Sequence, residues 1–249
     1  MVSMASYSSQ GGRDYNEDSV DVRDDGSRQC VVVADGLGGH GGGKTASMLA
    51  VEQITRAFLT DYGIDRTWIQ SLFEGVNQSV LDCQTDACKM KTTCVSLFLE
   101  NGQAQWAHMG DSRLYHFVDG RLVFCTTDHS VSQMAVFSGE ITKAQIRFHE
   151  DRNRVLRAFG ADEPVKPDIG GVDVDDGAFH AFLLCTDGFW EYVLEGEMEI
   201  DLTKSDSPEM WIKYMVERLE KKVAGNNDNY TAAALFYERF DGRDLYEEE

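Results

Sequence analysis

Residues 91–126 read KTTCVSLFLENGQAQWAHMGDSRLYHFVDGRLVFCT, and this stretch decides the fold class. Its four apolar-rich segments are separated only by short turns, among them Asn101-Gly102 and Asp119-Gly120. Asn-Gly and Asp-Gly between strands are strong hairpin signals, whereas parallel neighbours would need crossovers of roughly a dozen residues or more. The sequence therefore predicts an antiparallel meander. Its strands are expected near residues 91–100, 103–109, 112–118 and 121–126.

Buried strands and helices are predicted on both sides of this meander. Cys30–Ala34 and Ala181–Cys185 are short apolar runs typical of buried strands, and each is followed by Asp-Gly within two residues. The pattern in residues 130–159 is weaker, so we expect a smaller excursion from the core there. Apolar residues at helical spacing predict three helices. These helices are expected near 44–59, 68–80 and 208–223, and the last strand near 230–237.

The acidic composition argues against two classes of partner. The chain has 249 residues, with 43 acidic and 23 basic side chains and a net charge of −20. Nucleic acids and anionic membranes are held by clustered Lys and Arg, so neither is an expected partner. Surplus carboxylates are well suited to binding hard cations.

The cysteines and the first residues indicate a cytoplasmic protein. None of the six cysteines forms a C-x-x-C pair, and four lie in apolar stretches, as is typical of reduced core thiols. Met1–Gly12 has neither a basic start nor an apolar signal region, and no segment approaches the roughly 20 apolar residues of a membrane span. We therefore expect reduced thiols and a cytoplasmic location.

Acidic residues follow several predicted strands. Asp35 and Asp187 each end a buried strand, where a carboxylate is costly unless something compensates its charge. A simple Asp-Gly turn is the alternative for either one alone, but Asp111, Asp228 and the segment Arg13–Asp18 add further acids near strand ends. If these ends converge on one edge, they form an all-oxygen site. Such a site selects Mg²⁺ or Mn²⁺, whereas zinc prefers His and Cys at ligand spacing.

A two-metal centre of this kind predicts hydrolysis of phosphate esters. Two ions turn a bridging water into hydroxide and clamp the charge of an in-line displacement at phosphorus. An arginine is then needed to grip the phosphoryl oxygens, and a proton donor to protonate the leaving alcohol. Arg13 and His40 can fill these roles, since His40 is the one histidine in the glycine-rich run after Asp35. The other histidines are expected to be structural.

A nucleotide-binding P-loop is the competing interpretation of the same glycine-rich run. Residues Gly38–Thr45 fit the pattern G-x-x-x-x-G-K-[ST] between a predicted strand and a predicted helix. A P-loop, however, belongs to a parallel βαβ sheet, which the hairpins of residues 91–126 do not allow. Asp35 and His40 would also flank the phosphate cradle, where an acid without a metal repels the ligand.

Five short motifs follow one another along the chain. They are R-x-x-N-E-D at Arg13–Asp18, D-G-x-G-G-H at Asp35–His40, G-D-S-R around Asp111, T-D-G around Asp187 and D-N-x-T at Asp228–Thr231. Each motif alone is weak. In this order they resemble the metal-dependent protein phosphatase 2C (PP2C, or PPM) family of serine/threonine phosphatases in its compact bacterial form, and the resemblance covers Ser3 to about Tyr237.

The resemblance implies an α+β fold, a four-layer αββα sandwich of two antiparallel sheets flanked by helices. It also implies a site for two ions, Mg²⁺ or Mn²⁺. Asp35 would bridge both ions and the Gly36 carbonyl would bind the first. Asp187 and Asp228 would complete the second.

The resemblance assigns roles to five further residues. Glu17 and Asp18 would be additional metal ligands, directly or through water. Asp111, together with Asp187, matches the position where bacterial relatives hold a third, weaker metal. Arg13 would bind the substrate phosphate, and His40 would be the general acid.

The resemblance also implies a domain organisation and partners. We expect one phosphatase domain over residues 1–240, with a flap at about 128–160, and an acidic tail over 241–249. Phosphoprotein substrates, an opposing Ser/Thr kinase and a monomeric state are expected. A catalytically dead module that binds phosphoproteins is the alternative, but no metal acid is missing. Lys44 stands where many relatives carry an acid, and we expect it to be an exposed lysine without a role.

Overall fold

The computed structural model describes residues 1–38, 42–175 and 177–238, and most of the strands in this part of the chain form two five-stranded antiparallel sheets. The strands, in chain order, are β1 (Val2–Ser9), β2 (Ser19–Asp24), β3 (Arg28–Ala34), β4 (Gly36–Leu37), β5 (Lys91–Thr92), β6 (Cys94–Glu100), β7 (Gln103–Met109), β8 (Arg113–Val118), β9 (Arg121–Cys125), β10 (Asp168–Asp173), β11 (Phe179–Cys185) and β12 (Tyr230–Glu238). The first sheet has the order β1-β12-β11-β8-β9, and the second has the order β10-β7-β6-β3-β2. Strands β4 and β5 form a small separate pair.

The described residues also form helices, and the long ones lie against the outer faces of the two sheets. They are α1 (Gly42–Thr60), α2 (Arg66–Cys83), α3 (Val131–Phe137), α4 (Asp187–Trp190), α5 (Glu195–Leu202) and α6 (Pro208–Lys222), with a 3₁₀ helix at Lys143–Phe148. The predicted helices near 44–59, 68–80 and 208–223 therefore correspond to α1, α2 and α6. Each ends within a few residues of the predicted limits.

Three apolar layers hold this arrangement together. Alternate residues of β3 point to opposite faces, so Val31 and Val33 pack between the two sheets, while Val32 faces the layer under α1 and α2. On the other side, Trp211 of α6 packs with the outer face of the first sheet, where it meets Phe236 of β12. The four-layer αββα prediction is confirmed.

The two predicted turns of the central stretch have the geometry that their sequences favour. Asn101 and Gly102 have φ values of 52° and 73°, and Asp119 and Gly120 have φ values of 48° and 79°. Positive φ at both central residues is the requirement of a tight type I′ hairpin. These turns connect β6 to β7 and β8 to β9.

The prediction of one continuous meander is wrong, because the two hairpins belong to different sheets. Strand β7 pairs with β6 and β10, whereas β8 pairs with β9 and β11. The chain crosses between the sheets at Gly110, whose φ of 107° suits glycine, and a Cβ there would lie 2.6 Å from the Thr93 side chain. The antiparallel pairing of β3 with β2 and β6 also removes the parallel sheet that a P-loop requires.

Two further expectations concern cysteines and membrane spans. All six cysteines are free thiols. Across residues 1–38, 42–175 and 177–238, no helix has both the length and the apolar character that membrane crossing demands.

A buried ion pair joins β8 to the start of the flap (residues 128–160). Arg113 donates to both carboxylate oxygens of Asp128, at 2.8 and 2.7 Å, and both side chains are almost fully buried. The Arg113 guanidinium also lies 3.5 Å from the centre of the Trp190 ring and donates to the Tyr115 hydroxyl. One side chain thus fixes the position of β8, α4 and the flap relative to one another.

We expect Arg113→Met to lower the free energy of unfolding by about 3 kcal/mol or more, since it leaves Asp128 charged, buried and unpaired. Urea unfolding measures this loss. The matched control is Arg121→Met in the same hairpin, because Arg121 is exposed and its pair with Glu199 should contribute less than about 1 kcal/mol. Equal losses in the two variants would contradict a stabilising role for the buried pair.

Candidate metal centre

Most of the predicted site residues line one open cleft of about 930 Å³ at the edge where both sheets end. Asp18 is buried beside this cleft. His40 lies outside the described residues. The predicted residues that line the cleft are Arg13, Glu17, Asp35, Gly36, Asp111, Asp187 and Asp228. The structure thus brings together eight of the nine predicted residues, seven in the cleft and Asp18 beside it, from five separate parts of the chain.

Asp35 is positioned by its own backbone. It follows the fully buried strand β3, its N–H donates to the Thr93 hydroxyl at 3.1 Å, and its carbonyl accepts from the Thr92 hydroxyl at 2.8 Å. The backbone N–H of Thr93 donates to the same carbonyl at 2.9 Å. These contacts leave the Asp35 carboxylate free to face the cleft.

Glycines let two oxygen donors meet next to Asp35. A Cβ placed on Gly43 would lie 2.6 Å from the Gly36 carbonyl oxygen and 2.9 Å from Glu17 Oε1. A Cβ on Gly36 would overlap the Gly43 backbone. Only glycine at both positions permits this approach, which places the Gly36 carbonyl beside the Glu17 carboxylate.

Asp187 and Asp228 are held side by side by a second close approach. Asp187 is the first residue of α4, and its carboxylate accepts from the Gly188 N–H at 2.6 Å. A Cβ on Gly188 would overlap the Asn229 carbonyl oxygen, so α4 and the start of β12 touch through backbone alone. Asp228 accepts from the Asn229 N–H at 2.8 Å and from Arg13 at 2.7 Å.

Asp18 and Asp111 are the most deeply buried of the acids. The Asp18 carboxylate accepts from the Thr186 hydroxyl at 3.0 Å, next to Asp187. The carbonyl of Asp111 accepts from Trp190 Nε1 at 2.9 Å, which ties the loop between β7 and β8 to α4. Both residues are 2% exposed.

The electrostatics of these carboxylates fit a cation site. Burial raises the pKa of Asp18 to about 6 and that of Asp111 to about 7, and nearby acids add to the increase. Burial, and then repulsion from the neighbouring carboxylates, raises the pKa of Asp35 and Asp187 well above the usual range. Among the described residues that line the cleft, Arg13 is the only basic one. Clustered oxygen donors with excess negative charge are the donor set that Mg²⁺ and Mn²⁺ prefer.

Comparison with known proteins identifies the family. The family model described as Protein phosphatase 2C matches residues 7–229. The chain belongs to the protein phosphatase 2C family. It is therefore a protein serine/threonine phosphatase, as predicted, and metal dependence is a general property of this family.

Individual relatives agree with this assignment. The serine/threonine phosphatase Stp of Listeria welshimeri is 35% identical over 203 residues, which cover 78% of this chain and 79% of the relative. The crystal structure of serine/threonine phosphatase Stp1 from Staphylococcus aureus matches with a TM-score of 0.84 and 26% identity, over 96% of each chain. The catalytic domain of PstP in complex with two manganese ions matches with a TM-score of 0.76 and 26% identity, over 94% of this chain and 97% of the other.

A second group of ligand atoms lies outside the cleft and was not predicted. His108, His129 and Asp168 bring three such atoms within 4.8 Å of one another. In this PP2C phosphatase, Arg157 already supplies positive charge to this group of atoms. Its Nη1 lies 3.1 Å from both His129 Nε2 and Asp168 Oδ1. The two imidazole rings are parallel, with centres 4.6 Å apart, so they do not point at one common ligand position. Residues distant in sequence form this group, and no spacing pattern reveals it.

Lys44 is not the exposed lysine that we expected. Its ammonium group is half-buried and donates to the Asp18 carbonyl at 2.6 Å and to the Ser19 hydroxyl at 3.2 Å. The described residues that line the acidic cleft do not include it. Lys44 therefore contacts the segment that carries Asp18 from the side away from the cleft.

We expect the metal-free phosphatase to lose stability as the pH rises from 6.5 to about 7.5, the range in which Asp111 completes its deprotonation in the folded state. A pKa that is raised in the folded state means that folding favours the protonated carboxyl. That stabilisation is complete below the unfolded pKa of 3.8 and is lost as the pH rises through about 6 for Asp18 and about 7 for Asp111. Below pH 6.5 His129 acts in the opposite direction, because burial lowers its pKa to about 4.

Thermal unfolding with a chelator present measures this slope, which should be shallower in Asp111→Asn and in saturating Mn²⁺. Each carboxyl contributes at most about 1.4 kcal/mol per pH unit. Stability that is flat or rising over this range in the metal-free protein would contradict the raised pKa values.

Proposed function

We propose that this phosphatase hydrolyses phosphoserine and phosphothreonine in proteins by in-line attack of water on phosphorus. The observation that carries the proposal is the convergence of the carboxylates on a cleft with a single described basic residue, Arg13. When bound, two divalent ions, Mg²⁺ or Mn²⁺, would activate that water and offset the charge that develops on the phosphoryl group. The manganese complex of PstP supports this choice of ion.

The residues that would hold the two ions are those that the two close approaches bring together. Asp35 would contact both ions and the Gly36 carbonyl would contact the first. Asp187 and Asp228 would complete the second. Their short hydrogen bonds to backbone N–H groups fix the direction of the Asp187 and Asp228 carboxylates before any cation arrives, so little ordering is left for binding to impose.

Three further acids would extend the ligand set. Glu17 lies next to the Gly36 carbonyl, and Asp18 is buried beside the cleft. Both residues would bind the metal ions, either directly or through water. Asp111, beside Asp187, would serve a third and weaker ion. Because Asp111 is buried, its side chain is kept from turning towards the solvent.

Arg13 would hold the substrate phosphate. Its guanidinium is about half exposed at the rim of the cleft and is paired with Asp228 at 2.7 Å. A planar guanidinium matches two phosphoryl oxygens at once. A cation held by Asp228 would compete with Arg13 for this carboxylate and would leave the guanidinium available to the phosphate.

His40 would protonate the leaving alkoxide. This role rests on its place in the motif Asp35–His40, since the residue lies outside the described part of the chain. The flap lies close to the same cleft, where Asn153 and Val155 form part of the lining. We propose that the flap takes part in substrate contact.

The remaining assignments are also proposals. Residues 1–240 would form one phosphatase domain, and the predicted acidic tail 241–249 lies outside the described residues. The phosphatase would act as a cytoplasmic monomer in signalling, opposing a Ser/Thr kinase.

We expect Asp187→Asn to reduce the turnover of a phosphothreonine peptide by more than about a hundredfold. Residues that only support a metal ligand typically cost 10- to 100-fold, and a direct ligand should cost more. Phosphate release with millimolar Mn²⁺ measures the effect. The matched control is Asp86→Asn, an exposed acid outside the cleft, which should keep wild-type turnover.

Two outcomes would overturn the proposal. Wild-type turnover by Asp187→Asn would remove that residue from the metal site. Phosphopeptide binding without turnover by the wild-type protein would instead favour the alternative of a binding module.

We expect His40→Asn to slow the hydrolysis of an alkyl phosphate far more than that of p-nitrophenyl phosphate. A good leaving group departs without a proton, whereas an alkoxide needs one, and general acid catalysis contributes about 10²- to 10⁴-fold. The ratio of the two kcat values measures the difference. Equal losses on both substrates would exclude His40 as the general acid.

A further inference from the structure

Lys44 occupies an electrostatically unfavourable place in its helix. It lies in the first turn of α1, which contains no acidic residue. The N-terminus of a helix carries partial positive charge, so a cation there is destabilising. Something else must compensate this charge.

The compensation comes from the segment that carries two predicted metal ligands. The Lys44 ammonium donates to the Asp18 carbonyl and to the Ser19 hydroxyl. Ser47, one turn further along α1, donates to the Glu17 carbonyl and pairs with the Ser19 hydroxyl at 2.9 Å. Hydrogen bonds from helix α1 therefore hold the Glu17–Ser19 segment on the side away from the cleft.

The acidic cluster has few positive charges of its own. Arg13 is the only basic residue among the described ones that line the cleft, and it is about half exposed. Lys44 is half-buried directly behind Asp18. Burial lowers the pKa of Lys44, and attraction to the Asp18 carboxylate opposes this decrease. The ammonium group therefore lies within electrostatic range of one carboxylate of the cluster, and Lys44 is not among the described residues that line the cleft.

We propose that Lys44 is an internal counter-cation that stabilises the carboxylate cluster when divalent ions are absent and lowers the affinity of the cluster for them. This inference rests on the metal-holding role given to the cluster under the proposed function. The same positive charge that relieves repulsion in the metal-free protein repels an incoming divalent ion. Lys44 therefore acts through its charge and sets the metal concentration at which the enzyme is loaded.

Three substitutions separate charge from hydrogen bonding. Lys44→Arg keeps the charge, Lys44→Gln keeps a donor without the charge, and Lys44→Met removes both. Isothermal titration of Mn²⁺ into the metal-free protein measures affinity without any use of turnover. Thermal unfolding with a chelator and with saturating Mn²⁺ measures the stability of each state.

We expect Lys44→Gln and Lys44→Met to tighten Mn²⁺ binding about fivefold at low salt, while Lys44→Arg leaves the affinity unchanged. The metal-free form of the Gln and Met variants should melt at a lower temperature, and the gain on adding Mn²⁺ should be larger than in wild type. High salt should shrink the affinity difference. Lys213→Met, an exposed lysine of α6, is the control and should change neither quantity.

Three results would count against the inference. Weaker Mn²⁺ binding by the Gln and Met variants would show that Lys44 helps to hold the ligands in place. Unchanged binding with equal losses of stability in both states would show a purely structural role. Failure of the wild-type protein to bind Mn²⁺ would overturn the proposed function itself. If Lys44→Met does not fold, the comparison of Lys44→Gln with Lys44→Arg still tests the role of the charge.

Discussion

The packing of two sheets forces the carboxylates of Asp18, Asp35, Asp111 and Asp187 together, although each repels the others. Burial raises the pKa of all four, and repulsion from neighbouring acids adds to the increase. A fold that uses several of its strand ends to concentrate negative charge carries a local cost, because an uncompensated buried charge is expensive. The stability of the antiparallel core offsets the cost of burying these charges. Its three apolar layers stabilise the strands that lead to the edge where the charges meet.

Backbone contacts rather than side-chain packing set the spacing of the acids. Gly36 against Gly43, and Gly188 against Asn229, are close approaches that no residue with a Cβ can make. They bring the ends of β3, α4 and β12 to one point, and so they fix where oxygen donors stand before any ligand is present. Rigid placement by the main chain suits a site whose ligands must not relax away from one another.

The sequence predicts the local parts of this structure better than the long-range ones. Asn101-Gly102 and Asp119-Gly120 specify their hairpins because the turn residues alone determine the geometry. The change of sheet at Gly110 was missed, since a glycine between two strands does not say which sheet the next strand joins. Strand β1 was missed for a related reason. Its sequence is rich in serine, and only pairing with β12 makes it a strand.

In the site, too, the sequence predicts local features better than contacts between distant segments. The motifs identified the acids, because a carboxylate directly after a buried strand is costly and therefore uncommon without a function. They did not show that Lys44 turns back towards Asp18, or that His129 and Asp168 share Arg157. Such contacts depend on where segments distant in sequence are brought by folding, and sequence spacing contains no signal for them.

The distribution of arginines explains how so acidic a protein can still receive a phosphate. Residues 147–157 contain four arginines, and each of them is paired with an acid. The pairs are Arg147 with Glu195, Arg152 with Glu191, Arg154 with Asp151, and Arg157 with Asp168. These pairs leave little free positive charge on this part of the flap. Under the proposed roles, the charge that attracts a phosphate therefore comes from bound cations and from Arg13. Since Arg13 is paired with Asp228, a cation held by Asp228 would add its own charge and leave the guanidinium available to the phosphate, so these proposed roles would couple metal loading to phosphate binding through one ion pair.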